Sequence, residues 1–182
     1  ANEFVGRRRL VQDCLQRLRS PNNLGILLHG LGGVGKSTVL ARLAERLPGS
    51  DPIWIDGRFS SEDLEGRLAE QCLSEEGHSI LNSRLPPTQR LKKFLENGLN
   101  ENTQRFCFVL DNFEVNLETR GDGVHVLQTS VVEPLMYLVR AVAGVRGPHR
   151  LIITSRYDVT LPELDDRFVR KSVPALREDR KS

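Results

Sequence analysis

Gly25-Ile26-Leu27-Leu28-His29-Gly30-Leu31-Gly32-Gly33-Val34-Gly35-Lys36-Ser37-Thr38 runs from a short apolar stretch through a glycine-rich turn into a helical pattern. Residues 30–37 match GxxxxGK[ST] at every fixed position. With glycine at about 7% of residues, a chance match in a chain of this length has odds on the order of one in a hundred. The apolar run suits a buried parallel strand. Val39, Leu40, Leu43, Ala44 and Leu47 fall on one helical face before Pro48-Gly49 stops the helix. Strand, glycine turn and helix together form a phosphate cradle. Glycines let the backbone turn its N–H groups inward, and the helix beginning near Lys36 adds its positive dipole end. In this pattern Gly32, Gly33, Val34 and Gly35 wrap the phosphates and Lys36 reaches the β- and γ-phosphates. Ser37 ligates Mg²⁺, and Thr38 is placed for the α-phosphate.

The pattern repeats outward from this turn. Residues 7–19 space their apolar side chains as an amphipathic helix, which Ser20-Pro21-Asn22-Asn23 breaks. Strands are predicted over 52–56, 105–110 and 150–154, with a short fifth over 168–173, and helices over 61–74, 88–98 and 131–143. Residues 115–130 have no clear period and contain Arg120-Gly121-Asp122-Gly123, which reads as a surface excursion. Apolar strands alternating with helices predict a three-layer α/β domain: a parallel sheet of about five strands with helices on both faces.

Two further strand ends carry candidate chemistry. Phe106-Cys107-Phe108-Val109-Leu110 ends in Asp111, and ligands of open parallel sheets sit at the carboxyl ends of the strands. Asp111 is therefore aimed at the magnesium shell, since a hard cation takes oxygen ligands. Glu114, three residues on, could orient a water for in-line attack on the γ-phosphate. Leu151-Ile152-Ile153-Thr154-Ser155 leads to Arg156, whose guanidinium could distinguish triphosphate from diphosphate. The alternatives are a turn cap at Asp111, a solvated Glu114 and a surface arginine at 156.

Composition narrows the rest. Lys plus Arg number 26 against 24 for Asp plus Glu, so bulk charge gives no case for a nucleic-acid partner. Arg7-Arg8-Arg9 and the basic residues of 167–181 read as solvated surface or tail. Cys14, Cys72 and Cys107 are scattered and read as small core residues, not a disulfide framework or zinc site. His29, His78, His125 and His149 have no mutual spacing for metal or acid–base work. No apolar run is long enough for a membrane span and no leader pattern opens the chain, so the expected setting is cytoplasmic. The start Ala-Asn-Glu-Phe, without Met, reads as a piece of something longer.

Taken with Phe4-Val5-Gly6-Arg7-Arg8-Arg9, these motifs resemble the STAND-class signal-transduction ATPases. The likeness is to the NB-ARC/AP-ATPase branch of apoptotic and immune ATPases, and to bacterial relatives joined to CHAT protease domains. It covers residues 4 to about 176. It implies that ATP or ADP is the nucleotide and that Val5, Gly6 and Arg7 lie beside the adenine. Asp111 is then the Walker B acid and Arg156 the γ-phosphate sensor. The implied organisation is an adenine-side helix over 1–20, a P-loop core over 21–176, and a tail over 177–182 leading to a helical and winged-helix region. Its expected partners are the other domains of a longer parent chain and further copies in an oligomer formed on activation. The sequence departs from the family at Asn112, where many members carry a second acid. The expected activity is a nucleotide-dependent switch with slow Mg²⁺-dependent hydrolysis. A nucleotide-stabilised scaffold without hydrolysis and a small-molecule kinase are the alternatives.

Overall fold

Strand β1 (Gly25–His29) is an interior strand of the domain's main sheet, buried from Gly25 through Leu28. A computed structural model describes residues 2–30, 35–47, 50–97, 105–145, 149–163 and 165–174, with backbone alone at 2–6, 50, 51 and 105. On one side β1 pairs in parallel with β6 (Arg150–Ser155), and on the other with β7 (Phe168–Ser172). Strand β3 (Arg105–Asp111) pairs with β6 and with β2 (Ser50–Asp56), both in parallel. The order is therefore β2-β3-β6-β1-β7, a five-stranded parallel sheet flanked by helices, as the alternating pattern predicts.

The strands read as continuous apolar runs because both faces are covered. Successive side chains point to opposite faces. Ile26 and Leu28 join Cys107, Val109, Ile152 and Val169 under α1 (Asn2–Leu18) and α2 (Lys36–Arg46). Leu27 instead joins Phe106, Phe108, Leu110, Leu151 and Ile153 on the other face. That face is covered by α3 (Ser61–Gln71), α4 (Glu75–Leu81), α5 (Pro87–Asn97) and α6 (Thr129–Gly144). The three cysteines are buried and free. Burial pushes the Cys14 thiol up to about 11 and the Cys107 thiol up to about 12, so both behave as small apolar residues. Among the described residues no helix is long and apolar enough to cross a membrane.

Three elements differ from the periodic reading. Helix α1 begins at Asn2, five residues earlier than the apolar spacing predicts. The helix expected over 61–74 ends at Gln71, because Cys72 takes an extended conformation and the Ser74 hydroxyl accepts the Gly77 N–H at 2.9 Å to start α4. Ser74-Glu75-Glu76 is a cap followed by an acidic first turn, the available signal for that break. The 115–130 excursion is a 3-10 turn (Phe113–Asn116) leading into a hairpin of β4 (Leu117–Thr119) and β5 (His125–Leu127).

Two glycines give opposite expectations for stability. A Cβ on Gly25 would lie 1.9 Å from the Leu151 carbonyl oxygen and 2.9 Å from the Phe168 ring, with β1 held between both neighbours. Gly66, within α3, has nothing within 4 Å of its would-be Cβ. Denaturant unfolding should find Gly25→Ala destabilised by about 1–3 kcal/mol. Gly66→Ala should be stabilised by about 0.5–1 kcal/mol.

Candidate functional site

Parallel pairing gathers the ends of β1, β3 and β6 at one sheet edge. Helix α2 starts there behind Gly35, whose φ of 86° lies in the left-handed region that glycine adopts without strain. Gly32, Gly33 and Val34 lie outside the described residues. Lys36, the first residue of α2, is 9% exposed and donates its ammonium to the Gly30 carbonyl across the turn. Burial lowers the Lys36 pKa, and Arg156 pushes it the same way, while Glu114 and then Asp111 oppose the shift. Those four charged groups, named separately by the sequence, thus share one field.

Asp111, 6% exposed, is the centre of the hydrogen bonding. The Ser37 hydroxyl donates to its Oδ2 at 3.2 Å. The hydroxyl of Thr154, on the intervening strand β6, donates to Oδ1, and the Asn112 N–H reaches the same oxygen at 3.0 Å. Thr154 is a member of the site that sequence reasoning passed over in favour of Arg156. Its signal was a hydroxyl at the end of an apolar strand, but only the sheet order brings that hydroxyl to Asp111.

Asn112 has φ 52° and ψ 43°, a left-handed conformation that asparagine tolerates better than most residues. Its side-chain amide points to β2 and donates to Asp56 Oδ1 at 2.7 Å. The chain then turns through the 3-10 turn, where Glu114 is half-buried and its Oε2 is buried without a hydrogen-bond partner. Arg156 is exposed just beyond β6, with its guanidinium carbon 5.9 Å from the centre of the Tyr157 ring.

At the other end of the site, Val5 and Gly6 lie in the opening turns of α1. Arg7 donates from Nη2 to the Pro174 carbonyl at 2.9 Å, and the same nitrogen is 3.9 Å from a would-be Cβ on Gly35. The helix thereby reaches both the end of the phosphate turn and the chain leaving β7. Thr38 is exposed in the first turn of α2.

The donor set fits a nucleotide with Mg²⁺. A small hard cation keeps several waters and takes one or two protein oxygens, and Ser37 Oγ and Asp111 Oδ2 already meet. The unpartnered Glu114 oxygen is an acceptor in want of a donor, such as a water. Among the described residues no group of three or more His, Cys, Asp or Glu side chains comes together to hold a metal.

Residues 3–153 match the AAA ATPase domain family, a span that covers the phosphate turn, Asp111, Glu114 and the chain as far as Ile153 within β6. Among curated proteins none matches the sequence. With the glycine turn, the parallel sheet and most of the chain accounted for by one family, the protein belongs to the AAA ATPase domain family, a group of ATP-binding P-loop NTPases.

Proposed function

We propose that this chain is the nucleotide-binding domain of a signal-transduction ATPase of the STAND, NB-ARC-like kind. It binds Mg-ATP and Mg-ADP, hydrolyses ATP slowly, and switches a longer parent protein between a closed form and an oligomer. The observation that carries the reading is the bond of Ser37 Oγ to Asp111 Oδ2 beside the buried Lys36, with a buried Glu114 oxygen lacking a partner.

Each residue has a physical task in this reading. The peptide N–H groups of the glycine turn and Lys36 hold the phosphates, and the lysine exchanges its Gly30 carbonyl for phosphate oxygens. Ser37 Oγ and Asp111 would hold Mg²⁺, which when bound neutralises charge on the β- and γ-phosphates. Thr154 and the Asn112 N–H hold the carboxylate of Asp111 in one orientation, leaving Oδ2 for Ser37 and the cation. Glu114 Oε2 accepts a hydrogen bond from the attacking water and aligns it with the γ-phosphate. Arg156 contacts the γ-phosphate when one is present. A contact made in one nucleotide state only is what can bias a conformational equilibrium.

Asn112 favours a second reading, in which the nucleotide is structural and hydrolysis is lost. Its side chain is engaged with Asp56 and supplies no acid. The orphaned oxygen of Glu114 weighs against that, because burying an unpaired carboxylate oxygen is costly without a ligand or water to meet it. A small-molecule kinase has less support. Arg120, the arginine of the excursion, is paired with Asp122 at 3.2 Å in a hairpin and makes a poor phosphate lid.

Calorimetric titration with Mg-ATP and Mg-ADP, run beside phosphate release, tests the whole reading. Lys36→Ala should weaken Mg-ATP binding by about a hundredfold or more, and retained affinity would remove this account of the turn. Glu114→Gln should slow single-turnover hydrolysis by roughly 10²–10⁴-fold and leave ATP bound; unchanged turnover rules out Glu114 as the base. Arg156→Ala should reduce the preference for ATP over ADP by about tenfold. Equal ATP and ADP affinity in the longer parent protein would overturn the switch.

A further inference from the structure

The turn that carries Glu114 is tied to the loop after β2 mainly through the side chains of Asn116 and Asn112, neither of which is assigned to the nucleotide. Asn116 is 0% exposed. Its Oδ1 accepts the Phe59 N–H at 2.9 Å, and its Nδ2 donates to the Gly57 carbonyl at 2.9 Å and to the Phe113 carbonyl at 3.2 Å. Its own carbonyl accepts the Gln128 N–H at 2.9 Å, joining the turn to the start of α6. At the other end of the turn the Asn112 amide is bonded to Asp56, and the Gly57 N–H donates to the Asp111 carbonyl at 2.8 Å. Phe113, between the two asparagines, is fully buried.

A fully buried primary amide is costly unless its groups are bonded, and here the oxygen and the amino group both are. Those bonds run between two segments with no regular ladder connecting them. Without them the 3-10 turn would keep its ties to Gln128 and the Phe113 ring but lose its side-chain bonds to the loop after β2. Glu114 stands between Phe113 and Asn116, so fixing those two residues fixes the backbone from which its carboxylate extends.

We propose that Asn116 is the positioning residue for Glu114, assisted by the Asn112–Asp56 bond: together they clamp the 112–116 turn to residues 56–59 and so hold the Glu114 carboxylate in place beyond the end of β3. The inference rests on the reading of Glu114 as the base for its effect on hydrolysis, but the placement of the carboxylate is measurable without turnover. A misplacement of about 1 Å in a reacting group costs up to roughly a hundredfold in rate.

The test uses Asn116→Ser, which is neutral and too short to span the three partners, and Asp56→Ala, on the exposed end of β2. Asp56→Asn keeps the acceptor oxygen while removing the charge. Asn116→Ser should slow single-turnover hydrolysis by roughly ten- to a hundredfold, with ATP affinity unchanged within about twofold. Asp56→Ala should slow it less, and Asp56→Asn should restore the rate, separating geometry from charge. Neither Asn116→Ser nor Asp56→Ala should add to the loss in Glu114→Gln, because both act through the same carboxylate. The second readout is the ¹³C carboxyl resonance of Glu114, which should move in Asn116→Ser and Asp56→Ala and return in Asp56→Asn.

An unmoved resonance in Asn116→Ser and Asp56→Ala overturns the positioning role, as does unaltered hydrolysis in both when Glu114→Gln is slow. A moved resonance with Glu114→Gln turning over at the normal rate keeps the positioning role and rejects Glu114 as the base. Should Asn116→Ser fail to fold, the Asp56→Ala and Asp56→Asn pair decides the question by the same two readouts.

Discussion

Strands buried on both faces and joined by crossover helices must run parallel, and that constraint sets everything else in this protein. Every crossover brings the chain back to the same end of the sheet, so the carboxyl ends of β1, β3 and β6 share one edge. Residues far apart in the chain, Ser37 and Thr154, thereby both reach the carboxylate of Asp111. The apolar alternation of Ile26, Leu27 and Leu28 anchors β1 between two cores.

The edge gathers charge at a cost. Lys36 is largely removed from water, and its ammonium is compensated by the Gly30 carbonyl and by the fields of Glu114 and Asp111. Partly buried charges of this kind are poor stabilisers of a fold and are better understood as prepared for a ligand. Asp111 is held in one orientation by hydroxyls from α2 and β6 and by the next peptide N–H. Rigid donors and acceptors aimed at a phosphate lose little entropy when it arrives.

Much of this site was legible in the sequence. The glycine turn with Lys36 and Ser37 announces itself because phosphate binding needs several glycines at fixed spacing. Asp111 and Arg156 follow from apolar runs that end abruptly in polar residues. Glu114 was readable only as a carboxylate near a strand end. The break at Cys72 escaped the periodic reading because Leu64, Leu68 and Cys72 stay in step while the backbone leaves the helix after Gln71. Asn116 gave no signal, since asparagines in turns are common and only burial reveals that this one spans two loops.

The sequence by itself determined the class of fold, the strand ends and the residue types offered to a nucleotide, because periodicity and turn chemistry are local. The order of the strands was decided by tertiary structure, and with it the placement of β6 between β1 and β3, which puts Thr154 against Asp111. So were the turning of Asn112 toward Asp56 and the clamping of the Glu114 turn by Asn116. These depend on which distant segments share a boundary, and hydrogen bonds between such segments leave no period in the chain. They form because buried polar groups must find partners wherever packing has already brought them.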